Sequence, residues 1–337
     1  LGFGGSNHRA FVSTPFGHFY VDSQNPSIFQ LQNGLKDITR DSKTNNKIQW
    51  FNENLPFNIV KDFPDYPRDN SFNTCDISLG WDNKFDRLFI TKKDYKLKKQ
   101  YKNKVTYSDF NLYLDDSIIS PTDNRYFEDK SWTIAYSPLL QEWVSFYTFV
   151  PNYYISTETY FQTGIDASLW SHLLTEKSHQ TFYGKTAPFI IEYAVKTTPA
   201  NSILNNIQTN AEFRRYQKDL SYFVKDNVFY DYAEVYNNNQ ATGRLKLIPK
   251  IKNNSFQAVQ YPKIQNNETQ ILAENIENFW RFSQGLYDIS IQNGQPLYTY
   301  NENSYKTLNP LSISYTPKYL KNQLRNDFHV IRFENNK

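Results

Sequence analysis

The stretch Tyr126–Ser156, YFEDKSWTIAYSPLLQEWVSFYTFVPNYYIS, decides the fold class. Trp132, Ile134 and Tyr136 alternate with Ser131, Thr133 and Ala135, the period of two that marks a strand. Ser137-Pro138 opens a turn. Trp143, Ser145 and Tyr147 then alternate with Val144, Phe146 and Thr148. This second strand is apolar on both faces, so it is expected inside a stacked or circular sheet.

Related patterns occur twice upstream. HFYVD ends at Asp22, SQNP turns and IFQL returns; ISLGWD ends at Asp82, NKFD turns and RLFIT returns. The intervals from Asp22 to Asp82 and from Asp82 to Ser137 are about 60 and about 55 residues. Repeats of roughly 40–50 residues with four short strands each signify propeller blades, and the slightly longer interval leaves room for insertions such as the Trp50 helix. The three turns are therefore expected at equivalent places in successive blades. Trp132 and Trp143 are expected on inward faces. Lys47–Asn54, with Ile48, Phe51 and Leu55 at helical spacing and Pro56 as a stop, reads as a helical insertion at a sheet edge.

Composition agrees with β structure. The chain has 337 residues, of which 17% are aromatic, including 26 Tyr and 26 Phe, residues that favour pleated, half-buried surfaces. A formal charge of +3 is too mild for a dedicated nucleic-acid binder. The mean hydropathy is −0.70 and no long apolar run exists, so no helical membrane span is expected. The single cysteine, Cys75, leaves no internal disulfide and no Cys/His zinc spacing. The chain holds no methionine and begins Leu-Gly-Phe-Gly-Gly without the charged and apolar regions of a signal peptide. We expect it to be a piece of a longer translation product.

Further strands are expected at Val105–Leu114, as a hairpin within Thr157–Leu174, and at Pro188–Val195, which reads as the clearest buried strand of the chain. Thr197-Thr198-Pro199-Ala200 breaks the pattern. The expected organisation is all-β, with β-propeller blades over residues 1–200 and an additional β-rich C-terminal region over residues 201–337. In that second region Asp219–Asn227, Tyr230–Tyr236 and Gly243–Pro249 read as strands and Asn237-Asn238-Asn239 as a turn. Ile276–Phe282 fits a strand or a short helix, and Phe328, Val330, Ile331 and Phe333 mark a last strand with Arg325 and Arg332 beside it.

Candidate chemistry is sparse. Lys92–Lys104 (KKDYKLKKQYKNK) reads either as a phosphate-tracking loop or as a solvated hairpin tip whose lysines discourage edge pairing. Asp115-Asp116 reads as a cation site or, because adjacent strand residues point to opposite faces, as a turn. The histidines are His8, His18, His172, His179 and His329; His172 and His179, seven apart, read as hydrogen-bonded structural residues rather than ligands. Gly2, Gly4 and Gly5 form a cluster that precedes no helix, and no Walker, GxSxG or GxGxxG motif occurs. Glu128–Trp132 (EDKSW) is similar to the Asp-box turn of sialidases but lacks its glycine, and glycoside chemistry needs two convergent carboxylates. No catalytic, metal or cofactor residue is assigned, and no enzyme activity is expected.

Four strings carry a resemblance: SWTIAYSPLLQEWVSFYTFVPNYYIS, QTFYGKTAPFIIEY, YNNNQATGRLKLIP and LRNDFHVIRFENN. From the Gly17 hairpin to the C-terminus the chain resembles the C-terminal part of the much longer tail muzzle, or nozzle-tip, proteins of crAss-like short-tailed bacteriophages, which implies a larger precursor whose N-terminal part stays associated. The resemblance implies a structural virion protein at the distal tip of the tail. It would form an oligomeric ring that closes the tail tube and gates ejection of genome and cargo proteins. The implied partners are copies of itself, the N-terminal part of its precursor, tube, hub and fibre proteins, and transiently DNA and cargo. The alternative is a carbohydrate-binding or glycan-hydrolysing β-propeller that recognises the host surface.

Overall fold

The structure is a computed structural model. It describes residues 8–40, 47–72, 74–172, 181–196, 202–216, 222–224, 228–250, 263–265, 268–276, 279–283, 286, 291–292, 295–296, 298–301, 304–307, 324–326 and 328–335. The protein is nearly all β, in many separate sheets. It divides into two units, Leu1–Lys185 and Thr186–Lys337.

The first unit opens with a four-stranded antiparallel meander of β1 (Phe11–Thr14), β2 (Gly17–Asp22), β3 (Ser27–Leu31) and β4 (Leu35–Asp37). Helices α1 (Lys47–Asn54) and α2 (Ile59–Asp62) follow. A second four-stranded sheet contains β5 (Asp76–Asp82) and β6 (Arg87–Lys93). Between β6 and its next sheet neighbour the chain makes an excursion. It holds β7 (Tyr95–Leu97), a meander of β8 (Val105–Ser108), β9 (Asn111–Leu114) and β10 (Ser117–Ile119), and β11 (Phe127–Asp129), which pairs with β7. The sheet is completed by β12 (Trp132–Ser137) and β13 (Glu142–Tyr147), and the order across it is β13-β12-β6-β5. A three-stranded sheet of β14 (Tyr153–Ser156), β15 (Phe161–Ile165) and β16 (Ser168–Ser171) comes next.

The three turns expected to match are built alike. Asp22, Asp82 and Ser137 each end a strand, and each faces the residue five positions on, across a four-residue loop. Their side chains close the loops. Asp22 Oδ1 accepts from the amides of Gln24 and Asn25, Asp82 Oδ1 from Lys84, and Ser137 Oγ from Leu140. Their places in the sheets differ from the expectation of successive blades. The Asp82 and Ser137 hairpins are halves of one sheet, because β12 pairs with β6 from Trp132↔Lys92 to Tyr136↔Leu88. The reason is a shared core. Ile77 and Leu79 of β5, Leu88 and Ile90 of β6, and Ile134 and Tyr136 of β12 all join one buried cluster. The interval between the two hairpins is taken up by the excursion, not by another blade.

Strand burial also departs from the sequence pattern. β12 is buried on both faces, with Ala135 joining Phe89, Phe149 and Phe161 on the side away from the main core. β13 is instead the outer edge strand, with Val144 and Phe146 exposed. Apolar residues on both faces thus mark an exposed edge here. Trp132 and Trp143 are half-buried and pack against the main core. They meet α1, the insertion read from the sequence. Trp50 lies 5.1 Å from Trp132 and from Phe146, and Phe51 lies 4.7 Å from Trp143. The single strand expected at Val105–Leu114 is two strands. Asp109-Phe110 turns the chain, as Asp115-Asp116 does next, and all four residues have positive φ. Two consecutive positive φ values fit a type I′ hairpin turn, the geometry whose twist matches the flanking strands.

A buried ion pair ties the helices to the sheet. Lys92 Nζ donates to Asn54 O at 2.8 Å, Pro56 O at 2.8 Å and Asp94 Oδ2 at 2.6 Å, so all three of its donors are used. Asp94 in turn accepts from the amides of Asn58, Ile59 and Tyr95 and from Asn58 Nδ2. Both side chains are fully buried. Burial lowers the Lys92 pKa, opposed by the Asp94 carboxylate.

In the second unit one sheet runs in the order Phe189–Lys196, Phe328–Asn335, Tyr232–Tyr236, Leu245–Pro249, Glu268–Ile276, Phe279–Phe282, Ile207–Thr209, with Lys263–Gln265 paired to Glu268–Ile276. All pairings are antiparallel except Leu245–Pro249 with Glu268–Ile276. Val235, Ile271, Trp280, Ile331 and Phe333 belong to its core. The ambiguous segment at Ile276–Phe282 is strand rather than helix on both sides of residues 277–278. Phe189–Lys196, expected to be buried, is an edge strand with Phe189, Ile190, Tyr193 and Val195 exposed. The strand expected at Asp219–Asn227 is described only at Tyr222–Val224, and the rest of that stretch lies outside the described residues.

Two outcomes follow for stability. Lys92→Ala should cost about 3–5 kcal/mol in urea unfolding, because it strands a buried carboxylate; Lys104→Ala, at an exposed lysine, should stay within about 0.5 kcal/mol. Trp132→Ala and Trp143→Ala should each cost about 2–3 kcal/mol, below the range for a fully buried indole. Equal unfolding midpoints for Lys92→Ala and the parent would show that the pair contributes nothing.

Candidate functional site

The residues singled out in the sequence do not converge. The basic run begins in the core: Lys92 is buried as above, and Lys93 Nζ on the opposite face donates to Ser71 O and Asn152 Oδ1. Lys98 Nζ bonds Asn124 O, while Lys96, Lys99, Lys102 and Lys104 are exposed. Its first half is therefore structural, neither a phosphate loop nor a hairpin tip. Asp115-Asp116 is a turn. In Glu128–Trp132, Asp129 lies at the end of β11 and accepts from the Ser131 amide. Among the described residues no group of three His, Cys, Asp or Glu side chains is placed to hold a metal ion. Gly2, Gly4, Gly5 and His179 lie outside the described residues.

His172 is packed in an aromatic nest. Its ring lies 5.0 Å from Phe149 and 5.7 Å from Phe161, and Nε2 bonds Thr163 Oγ1, which also contacts the Tyr183 hydroxyl. Burial pushes its pKa down to about 4, so the ring is neutral at ordinary pH. His18 bonds Ser13 Oγ at 2.9 Å on an exposed strand. His329 is buried, beside Asn237, and burial lowers its pKa.

The second unit brings together a charged row that the sequence did not disclose. On adjacent strands Arg332 stands directly opposite Glu192 on one side and Glu234 on the other. Arg332 Nη1 is 3.9 Å from Glu192 Oε2. One turn of the pleat away, Arg244 lies 3.7 Å over the Tyr232 ring and bonds Glu334 at 2.7 Å. Glu234 is 8% exposed. Burial pushes its pKa up to about 7, with Arg332 and Arg244 opposing and Glu192 and Glu334 adding to the rise. On the same face an open concavity of about 590 Å³ is lined by Glu192, Ala194, Tyr236, Phe328 and Val330, among others, but not by Glu234. The two carboxylates of the row therefore do not share one opening, as paired glycosidase carboxylates must. The available signal was a lone Glu in each of two apolar runs, FIIEYAV and YAEVY. Only pairing with a strand about 100 to 140 residues away sets Arg332 between them.

Glu234 has a folded pKa above its unfolded value. Its stabilising contribution is complete below about pH 4.5 and is lost as pH rises through about 7. Glu234→Gln should remove that dependence, raising stability at pH 8 relative to the parent by on the order of 3 kcal/mol. Parallel pH profiles for parent and variant would show that Glu234 ionises without cost.

Residues 2–167 match the model of a family described as Crassvirus muzzle protein. No curated protein matches the chain. The matched span ends within the first unit, past β15, and takes in both four-stranded sheets. Over residues 2–167, then, the chain is similar to the Crassvirus muzzle protein family, and that similarity indicates a component of the tail tip of crAss-like phage virions.

Proposed function

We propose that several copies of this chain close the distal end of the tail tube as a muzzle and gate the exit of genome and cargo proteins, without catalysis. The observation that carries this reading is the family match over residues 2–167. It is supported by the way the sheets of the first unit are arranged. β1, β5 and β14 are each the first strand of a sheet, and they lie next to one another in that order. The Leu79 amide bonds Arg9 O at 2.9 Å, just before β1, and the Trp81 amide bonds Ser156 Oγ at 3.0 Å at the end of β14. Gly80 makes the approach possible, since a Cβ there would overlap the Tyr154 ring. First strands side by side, with later strands leading outward, are the arrangement of propeller blades around an axis. We therefore read β1–β4, the β5-β6-β12-β13 sheet and β14–β16 as three consecutive blades.

Such a scaffold suits a gate that must hold its shape without disulfides. Each blade buries its faces against its neighbours, and little of the first strands is left as open edge. Copies arranged head to tail around the tail axis close as a ring.

A reconstruction of intact virions should place this chain at the tip of the tail, in several copies around the lumen. Its absence from the tip, or binding of surface glycans by the isolated chain with its location on a fibre, would favour the carbohydrate-recognising alternative. Gly80→Ala tests the blade packing: it should lower stability by about 1–3 kcal/mol, and an unchanged melting temperature would count against close packing of β5 on β14.

A further inference from the structure

The outer edge of Phe189–Lys196 lacks the devices by which sheets stop. The strand runs eight residues in unbroken register with Phe328–Asn335, without a bulge. It holds no proline, and Lys196, its one cation, sits at the very end. Among the described residues no strand pairs with its outer side. Phe189, Ile190, Tyr193 and Val195 are each about 37–42% exposed. Long, flat, apolar edges of this kind template another strand.

The charges on the strand say which strand fits. The row Glu234–Arg332–Glu192 crosses three strands and carries two carboxylates for one guanidinium. It ends at the open edge with Glu192, which is 39% exposed and 3.9 Å from Arg332. The next position outward calls for a cation. Among the described residues no carboxylate pairs with Lys196, on the same face and four residues on.

We infer that this edge pairs antiparallel with the same edge of a second copy, about a two-fold axis at Ala194, setting Glu192 of each chain opposite Lys196 of the other. The row then alternates in sign across the contact: Glu234, Arg332, Glu192 and Lys196 of the second copy. Tyr193 faces Val195, an aromatic and β-branched pair of the kind that stabilises sheets. The smallest side chain of the strand lies on the axis, where two identical residues meet. The competing register that uses all eight residues, Phe189 opposite Lys196, sets Glu192 against Tyr193 and leaves its carboxylate without an outward cation; the charges select the first. The contact is isologous, so it is distinct from any head-to-tail contact that closes a ring, and it does not rest on the muzzle reading.

The pairing makes a specific cross-link possible. Directly opposite residues in an antiparallel pair have Cα atoms about 4.5–5.5 Å apart, within disulfide range. Cys75 is the only native cysteine and is buried. In the full chain, Ala194→Cys should oxidise to a covalent dimer, whereas Val195→Cys, offset by two residues from its own copy, should not. Sedimentation should show the parent as a dimer whose dissociation constant rises at high salt. Lys196→Glu, which sets two carboxylates together, should weaken the dimer at least tenfold with an unchanged circular dichroism spectrum. A parent that stays monomeric at every accessible concentration would overturn the proposal. So would equal cross-linking of the two cysteine variants, an unaltered dimer in Lys196→Glu, or protection of Phe189–Lys196 from hydrogen exchange only when another tail protein is added.

Discussion

The first unit depends on a charge that has been removed from water. Lys92 reaches through the core from β6 to the carbonyls of Asn54 and Pro56, just where α1 ends. Asp94, two residues on, takes the amides that open α2. One ion pair therefore closes the end of one helix and caps the start of the next, and it fixes both to the strand between β5 and β12. Taking two such charges out of water costs several kcal/mol each. That cost is offset here because every donor of Lys92 has an acceptor and Asp94 receives amides from two segments. The Asp94 main chain extends the tie: its amide bonds Ser131 Oγ and its carbonyl accepts from the Lys130 amide. The excursion from β7 to β11 thus leaves and rejoins the sheet at one residue.

Lys93 repeats this on the other face. Successive strand residues point to opposite sides, so where Lys92 faces the helices, Lys93 faces Ser71 and Asn152, next to β14. Ser71 also accepts from Arg9, before β1. A short polar network thus links the sheets that begin with β1, β5 and β14, while Phe89, Phe149 and Phe161 fill the space between β6 and β15. A virion component without disulfides gains rigidity from such ties, since hydrogen-bonded pairs inside a core hold one arrangement rather than several.

The two units handle their outer strands differently. β13 is an edge, but Trp143 and Phe146 are covered on one side by α1. The edge strand Phe189–Lys196 of the second unit has no such cover among the described residues. In both, a strand that its apolar residues marked for the interior lies outermost.

Local chemistry was legible in the amino-acid order. Period-two alternation marked β12, helical spacing with Pro56 marked α1, and the Asp22, Asp82 and Ser137 turns were readable because each side chain bonds amides within three residues of itself. Of the strings on which the muzzle resemblance was read, SWTIAYSPLLQEWVSFYTFVPNYYIS lies within the matched residues 2–167. Partnership was not legible. The join of β6 to β12, the place of Arg332 between Glu192 and Glu234, and the burial of Lys92 each depend on chain segments that meet only after folding. An apolar run such as FIIEYAVK reads the same at a sheet centre and at its edge, since hydrophobicity records what a strand can bury, not which neighbour arrives. A lysine reads as surface until a carboxylate and two carbonyls from other segments surround it. Short-range hydrogen bonds and propensities are written in adjacent residues; sheet order and buried charge are set by which long-range contacts lower the free energy most, and those only the tertiary structure decided.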